Sequence, residues 1–550
     1  MDRLRIIKFI IALSHLCILS QFVYCEDKLY LDVSSYHPNQ NEYNVFKRYF
    51  DIKNNTIIYI NNIQNDVGFF IIQIHTYIEN VTLSNDYNLN YGSYVTGTNI
   101  GLYSQSKNNS AVFYLFINNK IGDSLQSLIV LNIYDATDPK PGGCNLSFGT
   151  TVAPYQSIQY TDSMIKVNSQ PPSYNGISCV NNSIQTNMFH MFLNDYDNSM
   201  ESYFNGLEKM LTVDGILKYG RKVPDTLSTG KFSRLYSSYI GTGEIFAIIT
   251  NYNNRSSVYV PAVSYGCDIS KWKESCLGPV SVHWKFLCAV QLIFGVFICF
   301  FGHRFFKITV YVVSFTFGLL VTYFIISMEE YLSITEKTIT SFTVGFIYGI
   351  IWLLIWKRYG LPFLTINLAL IMSGFLTASL FFYTILTDMN LFMTTFNYWM
   401  VFLLIIILCI IVSIPNATYA HIASLSYLSS YSCVMALSYY VGGNLPYILI
   451  NTYRRVAVLD FNLAVIDPPM DTIDILHVLL WIGLLLFGMF IQIRHQRGKP
   501  PFPPNRRFLD IIENPRETTP LIHDIFAPRQ YTMMANGPYN VVKTSRFYRM

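Results

Sequence analysis

Seven stretches in the second half of the chain are each apolar for long enough to cross about 30 Å of hydrocarbon at about 1.5 Å of rise per residue. They run roughly from Phe286 to Gly302, Ile308 to Ser327, Ile339 to Trp356, Leu361 to Leu386, Tyr398 to Ile414, Ile422 to Val441 and Ile475 to Ile493. In lipid every backbone N–H and C=O has to be paired within its own segment, so 283–493 reads as an all-α polytopic membrane domain of seven transmembrane helices. Lysine and arginine favour the cytoplasmic side. His303-Arg304-Phe305-Phe306-Lys307 after the first stretch, Lys357-Arg358 after the third, and Arg494, Arg497 and Lys499 after the seventh mark that side, with Glu329, Glu330 and Asp388 opposite. Arg454 and Arg455 run against the rule, in a loop that also carries Asp460, Asp467 and Asp471.

The half before these spans is built differently. Overall the chain is 51% hydrophobic and 13% charged, with a mean hydropathy of +0.30, but up to about Val282 it is rich in Asn, Tyr, Ser and Asp. Arg3, Arg5 and Lys8 with the apolar run Ile6 to Leu19 read as a signal peptide over 1–25, too short for a span and cut near Val23-Tyr24-Cys25. The leader and the loop charges independently place the following segment outside the cytosol. Between Asn55 and Tyr134, strand-length runs of β-branched and aromatic residues alternate with turn residues: Thr56 to Ile60, Gly68 to Ile74, Ala111 to Ile117 and Ser127 to Tyr134. That pattern predicts an antiparallel sandwich. Pro141-Gly142-Gly143 breaks it, and a second set follows in Ser157 to Val167, Gly230 to Tyr239, Glu244 to Thr250 and Ser257 to Val260. Asn187 to Ile216 is less regular, with a short helix expected near Met200 to Leu211. The fold class is therefore a β-rich, sandwich-like extracytoplasmic head plus the helical membrane domain. Its expected parts are a first module over 26–140, a second with cysteine pairs over 141–282, and a cytoplasmic tail over 494–550.

Four of the ten cysteines lie in the head: Cys144, Cys179, Cys267 and Cys276. An even number in an oxidising compartment predicts disulfides. Three pairings are open; short loops favour Cys144 with Cys179 and Cys267 with Cys276. Six sequons, at Asn54, Asn80, Asn108, Asn145, Asn181 and Asn254, are candidate glycan sites in that compartment. The sequon at Asn416 falls in a loop placed on the cytoplasmic side and is expected to stay bare.

The sequence carries no sign of enzyme chemistry. The head lacks a Gly-Xaa-Ser-Xaa-Gly elbow, a His-Glu-Xaa-Xaa-His helix, a Cys-Xaa-Xaa-Cys pair and a Gly-rich phosphate loop, and His75 and His190 stand alone in the sequence. No cofactor, metal site or catalytic residue is expected. A net charge of +4, with no basic-aromatic motif, argues against nucleic acid as a partner. Ionisable residues in a span usually mark function, and His477, near the outer end of the seventh stretch, is the only one placed in or beside a span. Gly345 and Gly349 on the third stretch, and Ser424, Ser426, Ser429, Ser430 and Ser432 on the sixth, allow close helix approach and are expected to face the bundle interior. Lys357-Arg358-Tyr359 stands where a G-protein-coupled receptor would carry Asp/Glu-Arg-Tyr, and the seventh stretch has no Asn-Pro-Xaa-Xaa-Tyr, so that reading is set aside.

Several strings carry a family resemblance: Phe300-Phe301-Gly302-His303-Arg304-Phe305-Phe306-Lys307, Ile491-Gln492-Ile493-Arg494 leading to Arg497-Gly498-Lys499-Pro500, and Pro141-Gly142-Gly143-Cys144-Asn145. Together they resemble the seven-transmembrane superfamily member three family, whose membrane domain is similar to that of the transmembrane protein 198 family. Gly302, His303, Arg304 and Lys307 form the family-like cytoplasmic motif. The resemblance implies a non-enzymatic membrane protein tied to cell survival under stress, protein homeostasis and insulin secretion.

From Arg494 onward the chain holds ten Lys/Arg against four Asp/Glu and opens with Pro500, Pro501, Pro503 and Pro504. That composition predicts a disordered tail whose basic start meets anionic lipid. Within it Glu517 with Leu521 and Ile522 resembles an acidic dileucine signal. Tyr531 with Met534, and Tyr539 with Val542, resemble tyrosine-based signals read by clathrin adaptors. The expected location is the plasma membrane or the endosome and lysosome. The leading functional expectation is a sensor or scaffold in the lipid bilayer, its head binding a lumenal or extracellular protein or ligand. The alternative is a channel or transporter for a small or neutral solute, with Ser429 and Ser432 on a polar path. A membrane-embedded lipid hydrolase ranks lowest, since His283, His303, His421, His477 and His495 are spread over both sides.

Overall fold

The computed structural model describes residues 27–34, 44–105, 109–117, 124–175, 177–180, 183–224, 232–277, 282–329, 331–359, 362–386 and 389–497. The expected signal peptide, Asn108, Asn181 and the tail signals at Glu517, Leu521, Ile522, Tyr531, Met534, Tyr539 and Val542 lie outside these residues.

The first module packs two sheets face to face. One orders Asp27–Asp32, Thr56–Asn61, Ser110–Ile117, Val81–Ser84 and Tyr94–Gly97; the other orders Val45–Ile52, Leu125–Tyr134, Phe69–Thr76 and Asn99–Gln105. Alternation along Thr56–Asn61 turns Ile58 and Ile60 inward, where they meet Phe113, Leu115, Ile72, Ile74, Ile129 and Leu131. Each such side chain contributes about 1.5–3 kcal/mol by leaving water. Phe69–Thr76 is buried along its whole length. Its second face is covered by the next module, where Gly101, beside it in the sheet, meets Val260 so closely that a Cβ would stand 2.5 Å from the valine methyl.

The second module again has two sheets: Ser157–Tyr160, Met164–Asn168, Ser233–Ser237 and Ala464–Val465 in one, and Arg221–Lys222, Gln185–Asp195, Thr242–Tyr252 and Arg255–Val258 in the other. Two expectations change here. The run Ser157 to Val167 is a hairpin, Ser157 facing Asn168, because Thr161 accepts the Met164 N–H at 3.1 Å across a turn. The segment from Asn187 read as irregular instead begins inside an 11-residue strand, Gln185–Asp195. Met188, Phe189 and His190 are buried in succession. A strand covered on both faces shows no alternation for sequence reading to find. The helix expected near Met200 spans Met200–Lys209, capped by Ser199, whose hydroxyl accepts from the Ser202 N–H at 3.2 Å. Disulfides join Cys144 to Cys179 and Cys267 to Cys276.

Among the described residues seven apolar helices follow: Val282–Phe301, Phe306–Ser327, Ile334–Tyr359, Pro362–Thr384, Thr395–Ser413, Ala417–Val441 and Thr472–Gln496. Length and apolarity alone separate six stretches, one of them the 47 residues Thr395–Val441. The 3-10 turn Ile414–Asn416, carrying Pro415, divides that stretch into two. The fifth helix runs antiparallel to the fourth, with Tyr398 4.2 Å from Phe382 at the end near the head and Ile406 against Gly374 further in. The sixth returns alongside the fourth, Ser424 3.2 Å from Ser373. Gly345 and Gly349 are buried against Phe315, Leu319 and Tyr311 of the second helix.

Candidate functional site

The chain between the sixth and seventh membrane helices is built into the head. Gly442 and Gly443, at φ of 94° and 117°, take a left-handed path open mainly to glycine and lead away from the sixth helix. An amphipathic helix, Tyr447–Ala457, then lies against the second module, and Ala464–Val465 completes one of that module's sheets by pairing in parallel with Leu235 and Tyr236.

Arg454 anchors this segment. It is 4% exposed, and its guanidinium donates to the Ser238 carbonyl at 2.8 Å, the Asp162 carbonyl at 2.6 Å, the Ser237 hydroxyl at 3.1 Å and the Asn451 side-chain oxygen at 3.2 Å. Tyr447 supports it from below, its ring 5.2 Å from the guanidinium and its hydroxyl accepting the Ile240 N–H at 3.0 Å. Arg454 thus runs against the charge rule because it is held by the head rather than offered to a leaflet. The loop aspartates have other tasks. Asp471 caps the seventh helix by accepting the Thr472 N–H at 2.7 Å, and Asp467 reaches His190.

His190, solitary in the sequence, sits in a buried cluster. Its Nδ1 is 2.5 Å from Glu244 and its Nε2 2.9 Å from Asp467, which also pairs with Arg221. Only the imidazolium can donate from both ring nitrogens to two carboxylates. Burial alone would lower its pKa, but hydrogen bonds to Asp467 and Glu244, reinforced by their charges, more than offset it and lift the imidazole to about 9. Burial raises the Glu244 carboxyl as well, against the pull of His190, so the proton stays within the pair. Both ring nitrogens are committed to the carboxylates of Glu244 and Asp467, leaving no lone pair for a metal.

A third contact ties the head to the seventh helix. The Asn444 side-chain amide donates to Asp195 of the head at 2.7 Å and to Asp474 at 3.2 Å, while its backbone N–H donates to Asp474 at 2.6 Å. Burial lifts the Asp195 carboxyl to about 6, with the Thr242 hydroxyl bond pulling it down and the Asp474 charge adding to the rise. Gly443 lies beside His477, which is buried; its Nδ1 is 3.5 Å from the Ser438 hydroxyl.

At the opposite end of the bundle, Gly302, His303 and Arg304 form the turn between the first two helices, and Lys307 stands in the first turn of the second. Fully buried Gln492 ties that turn to the seventh helix: it accepts the His303 N–H at 3.3 Å and donates to the Cys299 carbonyl at 2.6 Å and the Ser426 hydroxyl at 3.1 Å. Lys307 lies 6.0 Å from the Trp356 ring and Arg304 5.7 Å from that of Phe305. The serines of the sixth helix mostly bond within it, Ser429 to Leu425 at 2.6 Å, Ser430 to Tyr427 at 3.0 Å and Ser438 to Val434 at 2.9 Å. That is the behaviour of packing residues. In the head, Asn54, Asn80 and Asn254 are exposed, whereas Asn145 is half-buried and its amide donates to the Phe148 carbonyl at 3.1 Å.

Sequence reading missed Asp195, Asn444 and Asp474 and had only a weak signal for Arg454, two adjacent arginines on the side where they are disfavoured. It contained nothing to bring His190 and Asp467 together.

Three family models match the chain in order. Residues 39–134 match the TM7SF3-like N-terminal immunoglobulin-like domain, 139–270 the TM7SF3-like second immunoglobulin-like domain, and 288–493 the TM7S3/TM198-like domain. Transmembrane 7 superfamily member 3 of Rattus norvegicus is 28% identical over 479 residues, covering 84% of this chain and 85% of the relative. The Homo sapiens protein is 28% identical over 478 residues, 84% of each. With both halves of the head and the helical bundle matched to models in the same order, the chain belongs to the TM7SF3-like family of multi-pass membrane proteins.

Proposed function

We propose that this protein is a non-enzymatic sensor or scaffold whose immunoglobulin-like head, on the lumenal or extracellular side, binds a partner and passes its orientation to the sixth and seventh membrane helices. The observation that carries this reading is the burial of Arg454 and the insertion of Ala464–Val465 into the head sheet. A head that shares a sheet with the loop joining two membrane helices cannot tilt without moving them. Two disulfides fit an oxidising compartment. The family resemblance suggests cell survival under protein-folding stress as the output.

The test is complementation of cells lacking the protein, scored as survival under folding stress. Wild type is expected to rescue. Arg454→Met, glycosylated and present at the same level, is expected not to, because the buried Ser238 carbonyl and the Asp162 carbonyl lose their donor and the junction loosens. Rescue by the membrane domain expressed without the head would defeat the proposal. So would solute flux in proteoliposomes that Ser429→Leu or Ser432→Leu abolishes.

A further inference from the structure

A cleft opens where the head meets the bundle, on the side away from Arg454. Its walls are Pro224 of the second module, Leu463 and Ile466 of the inserted loop, and Phe382, Leu386 and Phe392 at the head-side ends of the fourth and fifth membrane helices. Its volume of about 50 Å³ holds roughly three or four water-sized groups, about the bulk of one phosphodiester.

One cation faces this apolar lining. Arg455 lines the cleft, stacks 4.6 Å from the Tyr398 ring, and donates through one terminal nitrogen to the carbonyls of Phe392 and Met393. Its Nε is buried without a hydrogen-bond partner, and among the described residues no carboxylate lies within ion-pairing distance of it. Arg454, next in the chain, is fully engaged by the head; Arg455 is not. An uncompensated guanidinium in a partly buried site calls for an anion. Apart from Asn462, whose amide donates to the Met393 carbonyl, the remaining side chains of the walls offer apolar contact, so the anion should carry an apolar body.

The cleft's height in the molecule selects the class. Thr384 ends the fourth span and Thr395 begins the fifth, so Arg455 stands just beyond the hydrocarbon, where lipid phosphates lie and where tyrosine and tryptophan such as Tyr398 and Trp399 gather. We propose that the cleft binds one anionic phospholipid of the head-side leaflet, its phosphate on the free edge of Arg455 and its chains against the fourth and fifth helices. Among the described residues that line it, the cleft has no acidic side chain to receive the amine of a zwitterionic head group, which favours a lipid with net negative charge.

The experiment uses the full-length protein in detergent, titrated with short-chain phosphatidylglycerol and read by native mass spectrometry. One lipid is expected to bind saturably, at least about tenfold more tightly than phosphatidylcholine of the same chain length, the margin of one charge-assisted hydrogen bond. Arg455→Gln and, separately, Ile466→Trp, which fills the cleft and keeps the charge, should each lose that site. Unfolding temperatures are measured alongside, and a loss by Ile466→Trp in a protein of unchanged stability supports the site even if Arg455→Gln misfolds. Undiminished binding by Ile466→Trp in a protein of unchanged stability, equal affinity for phosphatidylcholine, or displacement of the lipid by inorganic phosphate at the same concentration would overturn the proposal.

Discussion

A single imidazole shows how the head depends on pH. The folded-state pKa of His190 stands at about 9, above about 6.5 for a free histidine. Its contribution to stability is therefore fully present below about pH 6.5 and is lost as pH rises toward 9. Between those values the melting temperature of the protein should fall, and His190→Gln should flatten that slope while lowering stability most on the acidic side. An unchanged slope between pH 6.5 and 9 would show that the proton is not held there. Gln492 makes a second case. Replacing it with Leu leaves the Ser426 hydroxyl and the His303 N–H without this partner in a buried setting, a loss of about 1–3 kcal/mol. Unfolding of the detergent-solubilised protein, with Gln492→Glu as a variant of equal size, measures it.

The elements legible in sequence were strand-length runs of β-branched and aromatic residues bounded by turn residues, and apolar runs of a membrane thickness. Thr56–Asn61 is such a run, and the seven apolar helices are long, so both were predictable. Gln185–Asp195 is covered on both sides by its own module and gave no period. Ala464–Val465 was harder still, since a two-residue strand has no local signal and exists only because the second module leaves the Ser233–Ser237 edge open to it. The junction was illegible for the same reason: its residues come from 162, 190, 195, 237, 444, 454 and 474, and only the fold brings them together. The pairing can be tested directly. Leu235 and Ala464 face each other in the register, and strand neighbours stand about 4.8 Å apart, within the span of a disulfide. Full-length protein carrying Leu235→Cys and Ala464→Cys should form that bond on mild oxidation, detected as a cross-linked peptide. Leu235→Cys with Leu459→Cys, whose Leu459 is 84% exposed, should not. The reverse result would remove the strand from the head.

For the whole molecule, the question is which compartment this junction is built for. His190 holds its proton from a neutral cell surface down to an acidic endosome, so the clamp between head and loop stays closed along that route. Asp195 responds in the same range: raised to about 6, its carboxyl adds stability that is full below about pH 4 and lost as pH rises through 6. Acidification through this range relieves the cost of burying the Asp195 charge, so the head is expected to stay folded as the pH falls toward 5. The sorting signals expected from the tail sequence are tested by localising tagged wild type and Leu521→Ala/Ile522→Ala, with glycosidase digestion of each sample. Wild type is expected in endosomes or lysosomes with its glycans attached, and the double variant at the surface, equally glycosylated because Asn54, Asn80 and Asn254 are exposed on the head. If both remain at the surface, the dileucine reading fails. If neither is glycosylated, the head is not lumenal, and the charge rule that Arg454 defies would have to be read the other way round.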